Sequence, residues 1–105
     1  MRGEVWTVAG AGYASKPRPA AVVQSDETDV FESTVICLFM SDTSIEGPTR
    51  VRVEPSSENG LNRSYCVMAD KVMALKKSSL GRRLGHLSDV DVHRLDEALR
   101  KALSL

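Results

Sequence analysis

The chain has 105 residues, 42% hydrophobic and 27% charged, with formal charges that sum to zero. That is the composition of a single folded domain spanning 1–105, and it excludes disordered, low-complexity and collagen-like classes. The longest apolar run, residues 35–40, is far below the roughly 20 residues of a membrane span. The first four residues lead straight into strand-like sequence with no apolar targeting core, so a soluble, cytoplasmic protein without a membrane partner is expected.

Residues 4–8 alternate polar and apolar side chains (Val5, Trp6, Val8) and predict a first strand. Gly10, Gly12, Ser15, Pro17 and Pro19 make residues 10–19 a loop. Residues 20–24 (AAVVQ) suit a short strand buried on both faces. An acidic connection follows over residues 25–33, carrying Asp26, Glu27, Asp29 and Glu32, with one helical turn expected around Phe31. Residues 34–40, β-branched at the start and apolar throughout, form the strongest strand signal. Residues 42–48 are turn-like. Residues 49–54 then alternate Val51 and Val53 against Arg50, Arg52 and Glu54, the pattern of a half-exposed strand. Asn59-Gly60 marks the turn of a loop over 55–63. Strand sequence resumes over 64–75, in two pieces around residues 69–71, and a short last strand is expected near 84–87.

Ser88, with Asp91 three residues on, predicts the N-terminus of a closing helix. Val92, Leu95, Leu99, Ala102 and Leu103 mark its apolar face, and Asp96–Arg100 and Glu97–Lys101 have the spacing of helical ion pairs. Five to seven short strands and one terminal helix define a mainly β, α+β protein, a small curled antiparallel sheet or barrel. Cys37 and Cys66 lie in apolar strand sequence, belong to no CxxC pair and have no ligand-spaced His or Cys around them. They are expected to be buried thiols, and neither a metal nor a cofactor is expected. Lys71, Lys76, Lys77, Arg82 and Arg83 form a basic strip with no acid between them. Such a strip suits phosphate contacts and an ordinary solvated face alike.

Five segments in order resemble the MazF/PemK toxins. They are Arg2-Gly3-Glu4-Val5-Trp6; the run from Lys16-Pro17-Arg18-Pro19 to Asp26; Leu38-Phe39-Met40-Ser41; Glu58-Asn59-Gly60-Leu61 with Val67-Met68-Ala69-Asp70-Lys71-Val72; and the run from Leu80-Gly81-Arg82-Arg83 to Ser88. The resemblance covers most of the chain. It implies a plug-like, SH3-related antiparallel β-barrel with a helical C-terminus, acting as a homodimer. It further implies sequence-specific cleavage of single-stranded RNA, restrained by a cognate antitoxin whose acidic, apolar tail folds on the toxin. Lys16, Arg18 and the basic strip would attract that tail in a salt-dependent way.

The resemblance places the chemistry on Arg18 and Ser41, with Lys16 and Lys71 as substrate-binding residues. Cleavage without a metal requires deprotonation of the 2′-OH, stabilisation of charge on phosphorus, and a proton for the 5′-oxygen. Arg18 suits the second task as a planar, permanently charged fork held between Pro17 and Pro19. Ser41, at a strand end, can donate a hydrogen bond to a phosphate oxygen. Asp70 suits two roles equally: orienting a catalytic group or taking the 2′ proton, and receiving turn amides as a structural carboxylate. His86 and His93 show no sign of converging. Ser41 departs from the family's usual threonine, Met68 stands where some members carry arginine, Lys71 replaces a common glutamine, and the first loop lacks the glutamate and glutamine of some members. These departures leave the general base open. Two other readings are a same-fold toxin that poisons a protein such as DNA gyrase, and a catalytically silent binding module. Neither needs Arg18 or a strand-end hydroxyl.

Overall fold

The computed structural model describes residues 1–8 and 17–105. Its strands are β1 (Glu4–Val8), β2 (Arg18–Val22), β3 (Ser33–Met40), β4 (Arg50–Val53), β5 (Tyr65–Lys76) and β6 (Leu80–His86), followed by the helix α1 (Asp89–Leu103). All pairings are antiparallel, in the order β4-β5-β3-β2-β1-β6. The most apolar strand, β3, sits inside the sheet, as its sequence demands.

Period-two alternation gives this sheet two apolar faces. Ala21, Cys37, Phe39, Val51, Val53 and Val67 join Leu95 and Ala98 of α1 in the main core. Their neighbours Ala20, Val22 and Ile36, with Val8, form a second cluster, against which Trp6, Leu38, Met73, Leu75 and Leu80 are partly buried. Phe39 meets Tyr65 edge to face, with ring centroids 5.9 Å apart. Both cysteines are free and buried, and burial pushes the Cys37 thiol up to about 12.

The sheet does not close into a barrel. β4 and β6 are its two edges, and the loop after β4 fills the gap between them. The His86 amide donates to the Glu58 carbonyl at 2.9 Å, using a donor that a closing strand would need. The crossing is tight enough to require glycine twice. Gly60 has φ +69° and a Cβ there would lie 2.0 Å from the Leu84 carbonyl oxygen; a Cβ on Gly85 would lie 2.2 Å from that of Glu58.

Several boundaries differ from the sequence expectation. β2 starts at Arg18 rather than residue 20; Pro19 fits because pairing with β3 begins only at Ala20. The helical turn of the acidic connection is Asp26–Thr28, capped by Ser25, rather than around Phe31, which is exposed. β6 begins at Leu80 because Val8 extends the β1 ladder that far. In α1 the Ser88 side chain accepts from the Asp91 amide as expected. The expected Asp96–Arg100 and Glu97–Lys101 pairs are replaced: Arg2 takes Asp96, and Arg100 approaches Glu97 at 3.7 Å. The buried stripe uses Ala98, and Leu103 is exposed.

Candidate active site

The two pieces expected over residues 64–75 are one strand with an irregularity. Against β3, Cys37 pairs with Val72 but Phe39 with Val67. Two steps along β3 thus span five along β5, leaving three extra β5 residues between the two registers. Such a bulge bends a strand and re-aims its side chains. Here it presents residues 68–71, the segment that carries Asp70 and Lys71.

Beside the bulge is a concavity of about 340 Å³. Arg18, Arg50 and Lys71 line it over an apolar floor that includes Leu38, Met40 and Met68. Arg18 has the alternation of Ala20 and Val22, so the site opens on the face of the second cluster, away from α1. No carboxylate is among the described residues lining it. A cationic rim over an apolar floor favours a ligand with anionic and aromatic or sugar parts.

Arg50 is the residue that sequence reasoning missed. Its Nε donates to Asp70 Oδ1 at 3.1 Å and its Nη2 to Asp70 Oδ2 at 2.8 Å, a fork-on-carboxylate pair. Their Cα positions are not direct partners: Arg50 faces Met68 across the β4–β5 ladder. A guanidinium therefore reaches this spot from β4 although position 68 carries none. The hydrogen bonds from Arg50 hold the Asp70 carboxyl below its ordinary range, and the charges of Arg50 and Lys71 act in the same direction. Asp70 lies within a strand and receives a side-chain fork, with its own backbone amide as a further hydrogen-bond donor.

Ser41 follows directly on Met40, the last residue of β3, and is exposed at the edge of this region. The next residue fixes its setting. The Asp42 carboxylate accepts from the Ser44 amide at 3.0 Å and from its hydroxyl at 2.6 Å, which lowers the Asp42 pKa. The structure therefore brings Arg18 and Lys71 to one concavity, with Ser41 next to one of its lining residues and Asp70 behind Arg50. Lys16 lies outside the described residues.

The rest of the basic strip does not act as one surface. Lys77 pairs with Asp29 at 2.6 Å and Arg83 with Glu4 at 3.5 Å. His86 sits 3.5 Å from Glu58 and His93 lines another concavity with Glu46 and Glu97. Neither lines the Arg18 site. No cluster of three or more His, Cys, Asp or Glu among the described residues could hold a metal ion.

A curled, open antiparallel sheet followed by a C-terminal helix, with clustered cations beside a bulge, defines a small β protein with a cationic concavity. Comparisons make that class specific. The family model of the PemK-like, MazF-like toxin of type II toxin-antitoxin systems matches residues 1–103. The chain is 36% identical over 99 residues to the probable endoribonuclease MazF of Mycolicibacterium smegmatis, covering 93% of this chain and 91% of that protein. It is 27% identical over 90 residues to endoribonuclease EndoA of Bacillus subtilis, covering 84% and 77%. Among solved structures, a mycobacterial endoribonuclease in complex with its cognate antitoxin superposes with a TM-score of 0.85 at 28% identity, covering 100% of this chain and 95% of that one. This chain belongs to the PemK-like, MazF-like toxin family.

Proposed function

We propose that this toxin is a sequence-specific, metal-independent endoribonuclease that cuts single-stranded RNA by attack of the RNA's own 2′-OH. The observation that carries the reading is the convergence of Arg18 and Lys71 on one concavity with an apolar floor. The 2′-oxygen attacks phosphorus and passes its proton to solvent water, the bond from phosphorus to the 5′-oxygen breaks, and that oxygen takes a proton from the Arg18 guanidinium, which water then reprotonates. Arg18 grips the phosphate as charge builds on it. A guanidinium that is already protonated is no base. Ser41 donates to a phosphate oxygen, while Lys71 and Lys16 hold the flanking RNA.

The similar mycobacterial endoribonuclease was solved with its cognate antitoxin, and this chain is assigned the same kind of partner. It is also assigned a homodimeric state: the partly buried Trp6, Met73, Leu75 and Leu80 offer a second copy apolar surface on the face opposite α1. Among the described residues no helix is long and apolar enough to cross a membrane, and RNA cleavage assigns the protein to the cytoplasm. The light-scattering mass at micromolar concentration is expected at twice 11.5 kDa; a species of 11.5 kDa alone contradicts the dimer.

The test of activity is incubation of the purified protein with a long RNA, with and without EDTA, followed by mapping of the new ends. Discrete cuts are expected in both conditions, with 5′-hydroxyl and 2′,3′-cyclic phosphate ends, and a 2′-deoxy nucleotide at the cut site should block them. Intact RNA, or cleavage abolished by EDTA, contradicts the proposal.

A further inference from the structure

We propose that Arg50 is an additional phosphate-binding residue of this site and that Asp70 is a positioning residue that holds the Arg50 guanidinium in place. The inference rests on the RNA-cleaving reading above.

Three observations carry it. First, Arg50 lines the concavity that Arg18 and Lys71 line, and Asp70 does not. The carboxylate grips the guanidinium from behind, at the bulge. Secondly, the pair is not needed to join its strands. β4 and β5 already share four register partners, from Arg50–Met68 to Val53–Tyr65, and side chains about one-third exposed (31% and 33%) add little to stability as an ion pair. Thirdly, the fork is only partly used. A guanidinium has five N–H donors, and the contact with Asp70 takes one on Nε and one on Nη2. The other three remain to meet an anion without breaking the pair.

An arginine already fixed by a carboxylate has lost its rotamer freedom before the ligand arrives, so it binds with a smaller ordering cost than a loose side chain. Electrostatics fit the same assignment. Arg18, Arg50 and Lys71 against Asp70 leave the site with an excess of positive charge, enough for the scissile phosphate and one neighbour. Asp70, held ionised by Arg50, is a weak proton acceptor at neutral pH and is better suited to hold than to abstract.

The probe is a single-stranded RNA oligonucleotide that spans a mapped cut site and carries a 2′-deoxy nucleotide there, so that it binds without being cut. Arg50→Gln should raise its Kd about 10-fold and flatten the slope of log Kd against log salt by about 0.7, the share of one phosphate contact on a single strand. Arg50→Lys should recover most of the slope but only part of the affinity, because a point charge cannot hold carboxylate and phosphate together. Asp70→Asn should weaken binding several-fold in the wild-type background and have no further effect in Arg50→Gln. On the cleavable oligonucleotide, Asp70→Asn should likewise leave kcat of Arg50→Gln unchanged.

Arg50→Gln that binds with wild-type Kd and salt slope overturns the proposal while the RNA-cleaving reading stands. A further drop of about 100-fold in kcat on adding Asp70→Asn to Arg50→Gln overturns the positioning role, since Asp70 would then act by itself. Should Arg50→Gln fail to fold, Arg50→Lys and Asp70→Asn decide: wild-type affinity in both contradicts the inference. A wild-type protein that neither binds nor cuts RNA overturns both readings.

Discussion

Arg2–Asp96 and Arg50–Asp70 are the same chemical pair at nearly the same exposure, 31%/35% and 31%/33%, yet they do different things. Arg2 ties the sheet to the helix: its Nη1 donates to the Val23 carbonyl at 3.0 Å while Nη2 holds Asp96 on α1. The concavity beside it is larger, about 500 Å³, but its lining mixes Arg2 and Arg100 with Asp96. Arg50 instead lies on strands already paired, in a smaller concavity whose charged lining, among the described residues, is all cationic. Size does not select the site. The sign of the charge that faces it does.

That contrast can be sharpened by substitutions whose effects should fall on opposite properties. The larger of the two is expected at the strand end beside the cationic concavity. Ser41→Ala should cut RNA about 10-fold more slowly with unchanged stability, a smaller loss than for a charged donor because neutral hydrogen bonds are about half as strong. Ser41→Thr should be close to wild type. Equal rates for the wild type and Ser41→Ala would remove the hydroxyl from the site. Arg2→Ala should do the reverse: a loss of about 1 kcal/mol, or roughly 4–8 °C in Tm, with cleavage by the folded protein intact. A fall in activity at constant Tm would show that the two pairs do not divide their roles in this way.

The smallest effect is in acid. The Asp70 pKa is lowered in the fold by Arg50, so its contribution to stability is present above the unfolded carboxyl's value and is lost as pH falls through the folded one. The Tm gap between wild type and Asp70→Asn should therefore be constant near neutrality and shrink below about pH 4. A gap that opens instead near neutral pH would mean a carboxyl titrating in the range where a general base works, against the positioning role.

The elements with strong local signals were legible in the sequence: the alternation of residues 4–8, the apolar run that becomes β3, and the Ser88 cap that starts α1. Arg18 and Lys71 could be singled out because their surrounding motifs resemble those of a known family. Arg50 could not. Alternation puts it on the outer side of a strand, where an arginine is ordinary. Its partner lies 20 residues away, and only the β4–β5 register with the three-residue slip against β3 brings them together. The open sheet was hidden for a similar reason. Closure depends on whether a loop or a strand meets β6, and the contacts of Gly60 and Gly85 that decide it are tertiary. The helix ion pairs failed because Arg2, from the other end of the chain, competes for Asp96.

The most direct test of the central claim is the single-turnover cleavage rate of Arg18→Ala on an RNA that the wild type cuts, measured on protein shown to be folded. The account predicts a loss of at least ~100-fold, the scale for removing one donor that stabilises developing charge, with poor recovery in Arg18→Lys. Near-wild-type cleavage by Arg18→Ala would contradict it and move the chemistry out of this concavity.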